Sequence, residues 1–557
     1  MDGEYVVKGG RLVDGTGGPA RAVDVRVAGG RIVAVGRGLA GDRVLDAAGA
    51  IVAPGFVDLH THYDAQVFWD PWLTPSSLQG VTTVVGGHCG LSLAPCREAS
   101  RDTMVRTLHF VEDMSAETLK LGVDWSWEDY PSYRRRVAER GLGVNFATYV
   151  GHTAVRLWVM GPDGYEREAT PREIDEMRRV VAEAVAAGAV GFSTDRSHFH
   201  TADGGRPVPS VTGSQAECEA LMRAAADAGG VCAAIVDEDC EWIYRLQPGL
   251  GAAVTWCQII TYPAGSPRQP WPEQQLAVHE PAFRAGARVH PQVTPRPISF
   301  QVSFEHPMSF YPVPAFGELS MLDVPARAAR YRDPDWRARA IRDLASKQWV
   351  DPNWDKFSVE ETPNQPELVG KSVAQLARER GEDPTAVALD VALADDLETR
   401  FRVIFANDDV PLLERILRTD GCLLGLSDAG AHNSQMCDAS LPLDFLSNWV
   451  RDRQLMPLEQ GVRKLTGELA DFLGLTDRGY VREGLAADLV VFDLDSLDAG
   501  PLRRVSDFPA GTDRLTADAP AGLRHVLVNG VPIRLDGADV RDQAGALPGR
   551  LLGSPVL

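Results

Sequence analysis

Two textures of hydrophobic pattern alternate along this chain. At both ends the apolar runs are short and broken by Gly and Asp. Tyr5-Val6-Val7, Val23-Asp24-Val25-Arg26-Val27 and Arg31-Ile32-Val33-Ala34-Val35 lie at one end; Ala487 to Asp493 and His525 to Val531 lie at the other. Such runs predict short strands joined by tight turns. Between them, apolar runs alternate with segments of helical period, the pattern of a parallel α/β fold. Eight runs read as strands: 52–62, 81–89, 144–152, 189–194, 231–236, 253–260, 288–293 and 423–428. A well-patterned helix over 172–187 precedes the fourth. The predicted fold class is therefore α/β: a (β/α)8 TIM-type barrel over 54–480, beside a small β-sandwich domain built from residues 1–53 and 481–557. The stretch 263–365 is rich in Pro, Trp and Arg and has few clean periods. It reads as an irregular, lid-like insertion over the barrel mouth, the alternative being a second small domain. The strand-like run 401–406 has no place in this scheme.

Composition narrows the function classes. A chain of 557 residues, 44% hydrophobic, can bury a large core. A net charge of −21 argues against binding nucleic acid or anionic membranes in general. The start, Met1-Asp2-Gly3-Glu4, has no basic region and no long apolar run, and no stretch reaches the length of a membrane span. The eight cysteines form no CxxC pair, which fits reduced thiols and a cytoplasmic location. The expected partner is a small molecule, with no nucleic acid and no membrane, and a homo-oligomer is in keeping with the class.

The chemistry concentrates where strands end. Gly55-Phe56-Val57-Asp58-Leu59-His60-Thr61-His62 carries two histidines spaced i, i+2, which a strand places on one face. Two such imidazoles can grip one divalent metal. Asp428 ends the eighth run, in Gly425-Leu426-Ser427-Asp428, and in a closed barrel the first and eighth strands are neighbours. A carboxylate there can bind a metal and exchange a proton with an attacking water. Cys89 ends the second run, facing the same place from the other side.

The motifs His60-Thr61-His62-Tyr63-Asp64, Gly80-Val81-Thr82-Thr83-Val84-Val85, Cys89-Gly90, Gly151-His152-Thr153-Ala154-Val155-Arg156 and Ser427-Asp428-Ala429-Gly430-Ala431-His432 resemble the D-aminoacylase (N-acyl-D-amino-acid deacylase) branch of the amidohydrolase superfamily. So does the tail motif Arg482-Glu483-Gly484-Leu485-Ala486-Ala487-Asp488. The resemblance implies a zinc site at the barrel mouth. Its ligands would be His60, His62, Cys89 and Asp428, with Asp428 as the catalytic base and acid in hydrolysis of an amide bond. It also exposes departures. The family carries histidines at the ends of strands five and six. Here the fifth run reads Val231 to Asp237 without one, and Gln258 stands in place of the other. The lysine that follows in the family is missing, and His88 stands where the family usually has Asn. None of the six lysines falls on a barrel strand, which excludes a carboxylated-lysine bridge between two metals. One zinc ion is the expectation, with a second left open.

The expected substrate-binding residues are His152, after strand three; Arg196, His198 and His200, after strand four; Gln258, after strand six; and Arg296, after strand seven. The acids Asp237, Glu238, Asp239 and Glu241 read as surface charge. Two alternatives use the same residues. In one, the barrel runs a non-hydrolytic step, a cyclisation or a dehydration. In the other, it is a binding protein with a retired active site.

Overall fold

The computed structural model describes residues 4–202, 205–307, 310–347 and 352–553. Eight parallel strands form one ring: β1 (Phe56–Asp58), β2 (Val81–Gly86), β3 (Asn145–Gly151), β4 (Gly191–Asp195), β5 (Val231–Ile235), β6 (Val254–Cys257), β7 (Val289–Val293) and β8 (Leu423–Leu424). Each pairs with the next in sequence order. The ring closes through a parallel bridge between Thr61 and Ala429, where the His62 N–H donates to the Ala429 carbonyl at 2.8 Å. This is the (β/α)8 barrel. Its strands are almost wholly buried, as expected of parallel strands covered on both faces.

The run expected as one strand over 52–62 is two. Ile51–Pro54 joins a seven-stranded sheet outside the barrel, and β1 begins at Phe56. Gly55 makes the corner because nothing larger fits: a Cβ there would lie 2.1 Å from Thr82 Oγ1. The eighth strand is also shorter than expected, so Ser427 and Asp428 lie in irregular backbone beyond it. The helix before β4 spans Pro171–Ala186, and its start explains its clarity in sequence. Thr170 and Glu173 form a capping box and Pro171 takes the first helical position.

Both chain ends contribute to the seven-stranded sheet. Leu489–Phe492 pairs with Ile51–Pro54 on one side and with Leu523–Val528 on the other. A four-stranded sheet from residues 5–46 packs on it through Tyr5, Val7, Val25, Val27, Val52 and Leu489.

The segment 263–365 divides differently from its sequence texture. Trp271–Arg284 is an ordinary helix between β6 and β7. The insertion begins after β7 and carries its own core. Ile298–Ser303, Arg400–Ala406 and Phe357–Glu361 form a three-stranded antiparallel sheet around Arg400–Ala406. Phe304, Phe316, Tyr331, Trp336 and Phe401 pack behind it. The run 401–406 therefore belongs to this second core. Its aromatic contacts are long-range, which is why no short period announced them.

Candidate metal centre

The donors converge at the C-terminal end of the barrel. His60 Nε2 lies 2.9 Å from Asp428 Oδ1 and 3.2 Å from Cys89 Sγ. His62 Nε2 lies 3.5 Å from the same Asp428 oxygen. One donor atom from each of His60, His62, Cys89 and Asp428 falls within 4.8 Å of all the others. The two histidines are sealed, whereas 20% of the Asp428 side chain is exposed. Asp428 is thus the member of the group that a ligand entering from the mouth meets.

Backbone geometry aims these side chains. Cys89 and Asp428 both adopt positive φ, +56° and +48°, a region that costs a non-glycine residue roughly 1–3 kcal/mol. Ser427 Oγ donates to Asp58 Oδ2 at 2.6 Å, and Asp58 also accepts from the His60 N–H. That clamp fixes the histidine pair to the loop carrying Asp428. Burial pushes the Asp58 carboxyl up to about 6.

His60 has a defined orientation. Its Nδ1 lies 2.8 Å from Gln292 Oε1, and a proton donated there leaves Nε2 as the metal-facing atom. Cys257 Sγ, at the end of β6, lies 3.2 Å from the same Nδ1. His88 stacks on His60 at 3.6 Å between ring centres, and its Nδ1 accepts from the Cys89 N–H. Burial and the two neighbouring histidines hold His88 well below its ordinary pKa, so it is neutral. His62 differs. Neither of its ring nitrogens has a hydrogen-bond partner, although the residue is 1% exposed. Its Nδ1 approaches Glu112 Oε1 at 3.5 Å.

Burial opposes charge on His60 and His62, but the thiols and carboxylates around them outweigh it and raise both. The same pairing outweighs burial at Asp428 and holds it well below its ordinary value. A cluster of this kind, with two imidazoles, a thiol and a carboxylate, suits zinc. Of the two His62 nitrogens it is Nε2, 3.5 Å from Asp428, that a metal held by this cluster would engage.

Most of the residues expected to bind substrate have other tasks. His152 is fully buried, with Nδ1 2.8 Å from Thr194 Oγ1 and Nε2 2.7 Å from Glu217 Oε1, so neither nitrogen is free for a ligand. Arg196 donates to the carbonyls of Ser210 and Gly213 and ties down the loop after β4. His198 is exposed and its backbone N–H donates to Asp237. Asp237 also accepts from Ser197 Oγ, so the acidic cluster joins two loops. Arg296 is committed to Asp438 and Asp444. Gln258 is half-buried just beyond β6, and it is Cys257 that reaches His60. His200 is within electrostatic reach of Cys89 and Glu112. Its Nδ1 lies 2.6 Å from Asp195, and despite burial that carboxylate, with smaller help from Cys89, lifts it to about 10.

Besides Cys257, two residues at the centre carry almost no signal in the sequence. Gln292 is a polar side chain in a strand buried on both faces, and that anomaly was its only signal. Glu112 is a carboxylate at the last position of the helix Arg101–Glu112, where the dipole disfavours it.

A cavity of about 520 Å³ opens from His62 and Gly430. Its walls come from Trp69, from His109 and Asp113 to Leu119, from Gln301 to Ser303, Glu305 and Arg400 of the insertion, and from Phe508 and Asp513. The insertion therefore borders the approach to the donors.

The model of the amidohydrolase family matches residues 43–534. The chain is 30% identical over 544 residues to the N-acyl-D-glutamate deacylase of Alcaligenes xylosoxydans xylosoxydans, covering 95% of this chain and 93% of that protein. It is similar to a D-aminoacylase crystal structure with TM-score 0.68 and 28% identity, over 99% of both chains. It is also similar to the N-acyl-D-glutamate deacylase of Bordetella bronchiseptica in complex with zinc and a phosphonate inhibitor, with TM-score 0.66 and 26% identity, over 99% of this chain and all of that one.

Proposed function

The chain belongs to the amidohydrolase family, and from that premise we propose that it is a zinc-dependent hydrolase of an N-acyl amide bond in a small acylated amino-acid-like substrate. The observation that carries this reading is the convergence of His60, His62, Cys89 and Asp428 at the mouth of the barrel, with the nitrogens of His62 unsatisfied. His60 and His62 would hold the zinc through Nε2, with Cys89 and Asp428 completing the set. Bound there, zinc supplies Lewis acidity that polarises an acyl carbonyl and acidifies a water.

The remaining work falls to the chain's own groups. Asp428, ionised and partly exposed, takes the proton from the attacking water at Oδ1 or Oδ2 and hands it to the leaving nitrogen. Gln292 holds the proton of His60 on Nδ1. His200, cationic through Asp195, lies in the loop after β4 and can receive the substrate's carbonyl or carboxylate oxygen. The substrate enters through the cavity beside His62. The relatives hydrolyse N-acyl amide bonds and match nearly end to end, so the non-hydrolytic and binding-only readings are not favoured. Eight unpaired, buried cysteines support a reducing compartment such as the cytoplasm. Among the described residues no helix is long and apolar enough to cross a membrane.

The test is zinc content per chain, together with hydrolysis of a panel of N-acetyl D- and L-amino acids, for the wild type, Asp428→Ala and Cys89→Ala. One zinc per wild-type chain and D-selective release of acetate are expected. Asp428→Ala should abolish turnover, and Cys89→Ala should lower zinc content. A wild type that takes up no zinc even on reconstitution would sink the reading.

A further inference from the structure

We infer that Glu112 is the positioning residue for His62, and that through it metal occupancy is coupled to the wall of the substrate cavity. The inference rests on the zinc reading above and adds a residue and a consequence to it.

Glu112 sits where a carboxylate is costly. It closes the helix Arg101–Glu112, against the negative end of the helix dipole. It is 3% exposed, and its Oε1 has no hydrogen-bond partner. A buried carboxylate with an empty oxygen is expensive unless something completes it. The group that faces this oxygen is His62 Nδ1, at 3.5 Å, which is equally unpartnered. The other oxygen lies 3.8 Å from His432 Nε2, and the Glu112 carbonyl accepts from the His432 N–H at 2.6 Å. Glu112 is therefore anchored by its backbone to the loop that carries Asp428 and is aimed by its side chain at the histidine pair.

A ligand on His62 Nε2 leaves the ring proton on Nδ1, directed at Glu112. Closure of a few tenths of an ångström turns that approach into a charge-assisted hydrogen bond. Two orphaned groups are then satisfied by one event. His60 needs no such change, because Gln292 already accepts from its Nδ1. The two arms of the donor set are thus unequal: His60 is held by Gln292 at 2.8 Å, whereas His62 stands 3.5 Å from Glu112 and has room to close. Chain continuity carries the effect outward. Asp113 to Leu119 follow Glu112 directly and line the cavity, and Asp113 accepts from Ser434 Oγ across it at 2.8 Å. Holding Glu112 on His62 therefore orders this wall.

The experiment compares wild type, Glu112→Gln and Glu112→Ala as full-length protein. Zinc affinity is measured by competition with a chromophoric chelator, and amide hydrogen exchange over 101–119 is followed with and without zinc. Loss of an outer carboxylate partner typically costs a metal-binding histidine about 10–100-fold in affinity. A loss in that range is expected for Glu112→Ala. A smaller one is expected for Glu112→Gln, which keeps an oxygen acceptor and the same shape. Zinc-dependent protection of 101–119 should be present in the wild type and absent in Glu112→Ala, with the Tm of the metal-free proteins unchanged or raised. Should Glu112→Ala fail to fold, Glu112→Gln carries the test alone. Affinity within twofold of wild type in the folded variants overturns the inference and leaves the zinc reading standing. A wild type that binds no zinc overturns both.

Discussion

Two buried histidine–carboxylate groups follow strands β1 and β3 of this barrel, and they are built in opposite ways. Around His152 every strong group is matched. Both ring nitrogens are engaged, Glu217 accepts two bonds of 2.6 Å from Arg156 Nη1, and Arg156 also donates to the carbonyls of Gly164 and Arg167. Around His60 and His62 the polar groups outnumber their partners, and both nitrogens of His62 and one oxygen of Glu112 stand unpaired. A satisfied network of buried charge holds the fold together, whereas buried polar groups left over beside a cluster of metal-type donors call for a further explanation. Sequence made His62 a metal ligand and His152 a substrate-binding residue, because each follows a barrel strand. Hydrogen-bond accounting separates them.

The sharpest way to break this comparison is at Asp428. Asp428→Asn keeps the shape and removes the base, so kcat should fall by about 10²–10⁴-fold with little change in Tm. Retained turnover in steady-state assays would place the base elsewhere.

At the other group the expected loss is in stability. Glu217→Gln leaves Arg156 as a buried cation without its counter-ion and should destabilise by about 3–5 kcal/mol in denaturant titrations, with zinc content unchanged. Lost zinc at unchanged stability would move His152 into the functional class. The pH dependence sharpens the same point. Burial pushes the Glu217 carboxyl up, but His152 and Arg156 outweigh it and bring it down from 4.5 to about 2. A carboxyl depressed on folding stabilises the fold fully above its unfolded pKa. That contribution, roughly 3 kcal/mol at about 1.4 kcal/mol per unit, is lost as the pH falls from about 4.5 towards about 2. The gap between wild type and Glu217→Gln should therefore narrow over that window. A pH-independent gap would contradict the assignment.

Zinc itself should act on one group only. Ligand at a hundred times its Kd stabilises a fold by about 2.7 kcal/mol. Zinc should thus raise the Tm of the wild type by several degrees and leave a His60→Ala/His62→Ala double variant unmoved. An equal rise in both would point to binding elsewhere. The smallest effect is expected at Gln292→Leu, which deprives His60 Nδ1 of its acceptor and should weaken zinc by about tenfold.

Much of this molecule was legible because its signals are local. Thr170, Pro171 and Glu173 announce a helix start within four residues. His60 and His62 announce a metal-facing strand end by their spacing alone. The closed barrel then follows from the count of apolar runs, and closure brings Asp428 to the histidines. The insertion was misdivided because its core is assembled from Phe304, Tyr331, Trp336 and Phe401, residues far apart in sequence whose packing leaves no short period. The same limit governs the site. Residue types and strand order determined which donors meet. Whether each buried nitrogen, thiol and carboxylate finds a partner was decided by tertiary structure, which brings Glu217 to His152, Gln292 to His60 and Glu112 to His62. A hydrogen bond depends on position to within a few tenths of an ångström, and one-dimensional spacing does not carry that.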